Sequence, residues 1–161
     1  MLDRRNFIHL MAIFASGTTI AVKSAHAASP TLVPLVLTKA EWKSRLSAPA
    51  FNVLREEGTE APFTSPLNAE KRKGIFQCAG CDLPLFDSAA KYDSGTGWPS
   101  FYAAIEGAMG TKTDYKSIFP RTEYHCARCN GHQGHVFSDG PKPTGKRYCN
   151  NGVALKFVPA V

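Results

Sequence analysis

The sequence predicts a mainly β domain with a few short helices on its N-terminal side, and three observations carry that prediction. From Gly74 onward, short apolar runs alternate with clusters of Gly, Pro, Asp and Ser, which is the punctuation of turns between short strands. Before Gly74, one short segment carries a helix-start signal and helical spacing of apolar residues, and a second short helix is predicted ahead of Gly58. Four of the five cysteines stand in two Cys-x-x-Cys pairs, Cys78 with Cys81 and Cys126 with Cys129, a knuckle spacing suited to turns that share one metal.

At 161 residues the chain has the length of one domain. Residues 1–27 stand apart from it. Arg4-Arg5 precedes an apolar stretch from Ile8 to Val22, and Ala25-His26-Ala27 has the small-x-small form at which a leader is cut. The apolar stretch is too short and too rich in Ala, Gly and Thr for a membrane-spanning helix. The segment reads as an export signal, and Arg4-Arg5 followed by Asn6-Phe7-Ile8 is similar to a twin-arginine signal, although Asp3 stands where Ser or Thr is more usual. The expected location is therefore periplasmic, with no stable membrane insertion after cleavage. Such a route suits a metal-loaded protein that folds where thiols are kept reduced.

Residues 28–37 hold Pro30 and Pro34 without helical spacing and read as an extended linker or arm. The folded domain is then 38–161. Thr38-Lys39-Ala40-Glu41 has the form of a capping box, so a short helix should run to Leu46 or Ser47, burying Trp42 and Leu46 and stopping at Pro49. A second short helix is predicted over Phe51 to Glu57, closed by Gly58. Strands are expected around Gly74–Gln77, Ile118-Phe119, Glu123–His125, His135–Phe137 and Val153–Phe157.

Charge excludes one class of function. The formal net charge is +6, and without the leader 16 Lys and Arg face 12 Asp and Glu, leaving +4. The longest basic run, Lys71-Arg72-Lys73, is three residues in a turn-like stretch, so no nucleic-acid surface is expected.

The four paired cysteines admit three readings: a structural zinc site, two disulfides, or a dithiol redox pair. Zinc is favoured, because a redox Cys-x-x-Cys opens a helix after a strand and neither pair here does. The 44 residues between Cys81 and Cys126 imply that two separate turns pinch the domain together. Cys149 is left over. It could be a small buried apolar residue, but Arg147 two positions away lies on the same face of a strand, and Asn150 and Asn151 follow with hydrogen-bond donors. His132 and His135 could be structural, metal-binding or proton-donating, and their spacing alone does not decide. Trp98, fixed between Gly97 and Pro99, is either a core anchor or an aromatic plate for an apolar ligand.

Several blocks taken together resemble the B-type methionine sulfoxide reductases. They are Gly58–Phe63, Cys78-Ala79-Gly80-Cys81, Ser94–Phe101, Arg121-Thr122-Glu123, Gly131–Phe137, Asp139–Gly145 and Arg147-Tyr148-Cys149, and the match runs from Thr38 to Pro159. The resemblance implies two antiparallel sheets in a tent-like arrangement, a zinc knuckle at Cys78, Cys81, Cys126 and Cys129, and reduction of the R epimer of methionine sulfoxide in proteins. It implies Cys149 as nucleophile, His132 and His135 as the groups that bind and protonate the sulfoxide oxygen, and Asn151 as their orienting partner. Trp98 would hold the substrate methyl and Arg147 would help activate the thiol. Relatives often carry a resolving cysteine where this chain has Thr96, and they differ at Ser138 and Asn150. A one-cysteine cycle follows, in which the Cys149 sulfenic acid is reduced by a thioredoxin-like protein or a small thiol. The partners expected are oxidised protein methionines and that reductant, acting on a monomer. A zinc-ribbon binding module would share the four cysteines but has no use for the fifth.

Overall fold

The computed structural model describes residues 32–161; the expected export segment and the start of the arm lie outside the described residues. Residues 32–38 have no regular structure, and the Leu35 N–H donates to the Arg128 carbonyl at 2.7 Å, laying the arm against the second cysteine knuckle.

Helix α1 spans Lys39–Arg45 and starts at the predicted capping box, with the Thr38 hydroxyl accepting from the Glu41 N–H and the Glu41 carboxylate accepting from the Thr38 N–H. Helix α2 spans Ala48–Glu56, longer than expected at its N-terminal end. Pro49 does not stop α1 from outside; it lies in the first turn of α2, where a missing N–H costs nothing, and Ser47 caps that turn. Glu57, left-handed at φ 55°, ends α2, and its carboxylate takes both Lys112 and Lys116. Trp42 of α1 is buried under the Arg55 guanidinium of α2, 4.6 Å from its ring centre, and Arg55 in turn donates to the Cys129 carbonyl at 3.0 Å. The helices therefore cover the cysteine knuckles.

Among the described residues, nine short strands make two sheets in which every neighbouring pair is antiparallel. They are β1 Gly74–Cys78, β2 Pro84–Asp87, β3 Lys91–Tyr92, β4 Ser100–Phe101, β5 Met109–Asp114, β6 Arg121–Cys126, β7 His132–Phe137, β8 Arg147–Asn150 and β9 Leu155–Pro159. The three-stranded sheet has the order β2-β1-β9 and the six-stranded sheet the order β3-β4-β8-β7-β6-β5. Aromatic side chains fill the space between them: Phe76 and Phe86 from the smaller sheet meet Phe101, Tyr124 and Tyr148 from the larger. Phe86 stacks on Phe101 with ring centres 4.0 Å apart.

Two strand expectations fail. Ile118 and Phe119 are 92% and 76% exposed in the loop between β5 and β6, because Pro120 removes a ladder donor and neither residue has a cross-strand partner. Val153 and Ala154 belong to a single 3-10 turn, Gly152–Ala154, and the last strand begins at Leu155.

Candidate active site and cysteine cluster

Cys149 sits on β8 with its neighbours set by register. Antiparallel pairing places Ser100 and His135 directly across from it on either side, Glu123 across from His135, and Lys112 across from Glu123. Directly opposed residues share a face, so one row of side chains crosses the sheet: Ser100, Cys149, His135, Glu123, Lys112.

His132 belongs to that face only because β7 is irregular. Residues three apart on a regular strand point to opposite faces. Here Tyr124 pairs with Gly134 and His125 with His132, so Gln133 is an extra residue on β7 and the bulge restores His132 to the face of His135. The two imidazole rings lie 5.5 Å apart, centre to centre. Gly134 makes the close approach possible, since a Cβ there would stand 1.9 Å from the Cys149 carbonyl oxygen.

Carboxylates fix both rings. The His132 Nδ1–H donates to Glu123 Oε1 at 2.8 Å, and His125 Nδ1–H donates to the other oxygen at 3.1 Å. Burial would raise the Glu123 carboxyl, but these bonds overcome it and hold it below the usual carboxylate range. The His135 Nε2–H donates to Asp114 Oδ2 at 2.7 Å, where Arg121 also donates at 2.7 Å. The Lys116 N–H, then His135 and Arg121, hold Asp114 far below the usual range. Burial pushes His135 below its ordinary value despite Asp114, so at neutral pH the ring is uncharged and its Nδ1 is an acceptor.

Cys149 is half-buried at a cleft of about 120 Å3, lined by Thr59, Trp98, Arg121, His135, Phe137 and Asn151 among others. That volume takes one unbranched side chain and is well short of the ~300–1,000 Å3 of a drug-sized or cofactor pocket. Burial pushes the Cys149 thiol above the ordinary range, and the Arg147 charge opposes the rise without cancelling it. Arg147 also makes two bonds to Asp139, at 2.9 and 2.8 Å, and lies 4.3 Å over the Phe137 ring. It stands on the Cys149 face and is not among the residues that line the cleft.

Trp98 is a wall of the cleft, with its Nε1–H donating to the Glu60 carbonyl at 2.9 Å. Asn151 is 4% exposed and its amide is engaged at both ends, accepting from the Glu60 N–H at 2.8 Å and donating to the Gln133 carbonyl at 2.9 Å. The Glu60 carboxylate accepts from the Gly152 N–H at 2.6 Å. Asn151 and Glu60 thus tie the Trp98 wall to the strand bearing Cys149. Sequence reasoning assigned no role to Glu60, Asp114, Glu123 or Asp139. Glu60, Glu123 and Asp139 lie in blocks that carried the resemblance, while Asp114 offered no local signal because only pairing across β5 and β6 brings it to His135.

The other four cysteines form a separate, buried cluster whose sulfurs all lie within 4.8 Å of one another. Each Cys-x-x-Cys closes in the same way: the Asp82 N–H donates to the Cys78 carbonyl and the Asn130 N–H to the Cys126 carbonyl, both at 2.9 Å, with Asp82 and Asn130 left-handed. Two close sulfur contacts cross between knuckles, 3.7 Å for Cys78 to Cys129 and 3.4 Å for Cys81 to Cys126. A disulfide needs about 2.05 Å, which excludes the two-disulfide reading. Four sulfurs ~2.3 Å from a central tetrahedral zinc would stand about 3.8 Å apart, so the donor set and spacing fit a metal. Gln133, completely buried, donates through Nε2 to Cys78 at 3.4 Å.

A half-buried thiol with its own cleft and an imidazole directly across from it, in a domain whose other thiols are gathered for a metal, is an arrangement suited to an oxidoreductase that works on sulfur. Comparison with known proteins narrows the class. The family described as SelR domain matches residues 46–159. A peptide methionine sulfoxide reductase MsrB of Pseudomonas putida is 54% identical over 123 residues, covering 76% of this chain and 92% of that protein. Its counterpart in Thiobacillus denitrificans is 50% identical over 123 residues, covering 76% and 93%. The chloroplastic peptide methionine sulfoxide reductase B1 of Arabidopsis thaliana is 53% identical over 122 residues, and the aligned part is 60% of that longer protein. The chain belongs to the B-type peptide methionine sulfoxide reductase family.

Proposed function

We propose that this protein reduces the R epimer of methionine sulfoxide in polypeptides, using Cys149 as nucleophile and an external thiol to complete the cycle. The observation that carries the reading is the partition of sulfur: Cys149 alone faces a cleft sized for one side chain, directly across from His135, while the other four cysteines are gathered in the core.

The sulfoxide enters with its methyl group against Trp98 and its oxygen toward His132 and His135. Because burial keeps Cys149 a thiol, its proton must leave as the sulfur attacks, and the acceptor at hand is His135 Nδ1, whose tautomer Asp114 fixes. The proton then passes to the sulfoxide oxygen, and His132, oriented by Glu123, contacts the same atom. Cys–SH and R–S(=O)–CH3 become Cys–S–OH and R–S–CH3, so oxygen and two electrons change hands and no cofactor is consumed. With no sixth cysteine and four in the cluster, a thioredoxin-like protein or small thiol must reduce the sulfenic acid.

Cys78, Cys81, Cys126 and Cys129 would hold zinc as a closed structural site that cross-links the domain and leaves no open position for substrate. Arg4-Arg5 and Ala25-His26-Ala27 support export to an oxidising compartment, where the monomeric domain 38–161 would repair oxidised proteins. The test is turnover of the two separated sulfoxide epimers with dithiothreitol and then thioredoxin. Consumption of the R epimer alone, lost in Cys149→Ser, is expected; activity retained in that variant would refute the reading.

A further inference from the structure

Arg121 brings a permanent positive charge to the cleft wall and has no part in the cycle described above. It lies on β6, paired with Asp114 of β5, and its Nη2 donates to Asp114 Oδ2 at 2.7 Å. His135 donates through Nε2 to the same oxygen at 2.7 Å, so the guanidinium nitrogen and the imidazole nitrogen stand within twice that distance of each other. His135 in turn is directly across from Cys149, and all three residues line one cleft of about 120 Å3. The Arg121 side chain is 37% exposed, while its Nε is buried without a hydrogen-bond partner among the described residues. The guanidinium therefore keeps donors beyond the one that Asp114 takes.

A sulfoxide oxygen accepts hydrogen bonds and donates none, so the cleft must offer it a donor. His135 is not one at the outset: its ring is uncharged at neutral pH, its Nε2–H goes to Asp114, and its Nδ1 is an acceptor. His132 gives its Nδ1–H to Glu123, is 3% exposed and is not among the residues lining the cleft. In the rest of the wall, the Trp98 N–H goes to Glu60, the Asn151 amide donates to Gln133, and Thr59 has only a neutral hydroxyl. We propose that Arg121 is a substrate-binding residue, donating from the guanidinium N–H groups that Asp114 leaves free to the sulfoxide oxygen while Cys149 attacks the sulfur. The proposal rests on the reductase reading above. Attack pushes negative charge onto that oxygen before a proton arrives, and a fixed positive donor stabilises it there. Arg121 keeps its own protons throughout; the one that reaches the oxygen comes from Cys149 by way of His135. The same contact separates substrate from product, since a thioether has no oxygen to hold.

The experiment measures ligand binding by titration calorimetry in the full-length, metal-replete Cys149→Ser protein, and turnover in the protein with Cys149 intact. The ligands are N-acetylated, C-amidated methionine R-sulfoxide, the corresponding thioether, and free methionine R-sulfoxide. Arg121→Met should weaken binding of the blocked sulfoxide about ten- to a hundredfold, the worth of a hydrogen bond to a charged group, and change thioether binding by less than about twofold. Unchanged thioether binding also shows that the cleft is folded. Arg121→Lys, which keeps the charge on a single donor group, should recover part of the loss. Equal weakening of sulfoxide and thioether would mean that Arg121 only shapes the wall and would overturn the proposal. Weakening confined to the free amino acid would overturn it as well, by assigning Arg121 to the carboxylate. If the protein with Cys149 intact fails to reduce the blocked sulfoxide, the proposed function falls and this inference with it. Reduction that proceeds while Arg121→Met binds the blocked sulfoxide as tightly as before refutes the role of Arg121 alone.

Discussion

At the residue scale, the chemistry turns on how a buried sulfur keeps and loses its proton. Arg147, two positions from Cys149, favours the thiolate even while Asp139 takes two of its guanidinium bonds, but burial dominates the balance. The sign follows directly: with the thiol raised, the thiolate fraction is small at neutral pH and grows only in the alkaline range. Alkylation of the metal-replete protein by iodoacetamide, followed by mass of the Cys149 peptide, should show a midpoint above the ordinary thiol value of about 8.5. Arg147→Ala should move that midpoint further up. Asp139→Asn should move it down, since it removes a negative charge and releases the guanidinium. A midpoint in the natural protein below that of a free cysteine would mean that Arg147 wins over burial.

At the scale of the element, β7 and β8 form the unit that holds the site, and buried polar groups lock them together. Tyr124 donates to Asn150 Oδ1 at 2.7 Å, Asn150 Nδ2 donates to the Asn151 carbonyl at 2.8 Å and meets Gln133 Oε1 at 3.4 Å, and Gln133 reaches Cys78. Asn150 and Gln133 are both completely buried, so each must find partners in the core. Asn150→Val leaves the Tyr124 hydroxyl and the Asn151 carbonyl without their partner and should cost about 1–3 kcal/mol. Gln133→Leu alone should also destabilise. The double substitution should cost less than the sum, because each change removes a partner the other had stranded. Urea unfolding of the three variants measures the coupling, and strict additivity would show that the two amides do not interact. The polarity of position 150 was visible in the sequence as a departure from relatives. Its reason was not, because the partners come from β6 and β7.

At the scale of the whole molecule, the cysteine cluster is the joint between the sheets. Cys78 ends β1 of the smaller sheet and Cys126 ends β6 of the larger, while α1 and α2 lie over the knuckles between them. A structural zinc contributes an apparent ~10–16 kcal/mol at pH 7 in small peptides, comparable with the entire 5–15 kcal/mol of a typical domain. Removing the metal should therefore abolish the cooperative thermal transition, and Cys126→Ser should do the same by taking away one ligand. Cys149→Ser should leave that transition in place. Scanning calorimetry with and without a strong chelator decides, and an unchanged melting temperature in the chelated protein would show that the aromatic core holds the sheets by itself. At this scale much was legible in advance. The Cys-x-x-Cys spacing, the Thr38 capping box and the Gly- and Pro-punctuated apolar runs named a β-rich, helix-flanked, metal-pinched domain from local pattern alone. The start of α2 was misplaced although its signals, the Ser47 cap and Pro49 in the first turn, are local; the false strand at Ile118-Phe119 shows itself only when β5 and β6 pair and leave both residues without a partner.

The sequence alone determined the kinds of residue available: five sulfurs divided four and one, a histidine pair, and an indole held between Gly97 and Pro99. These follow from composition and spacing, which the covalent chain carries whatever its fold. Only the tertiary structure decided how they act. Two histidines three apart would face opposite ways on a regular strand, and it is the extra residue at Gln133, seen only when β6 and β7 pair, that turns both to the side of Cys149. Likewise Asp114, Glu123 and Glu60 take up their posts through contacts 9 to 92 residues away in sequence, a distance over which no local pattern carries information.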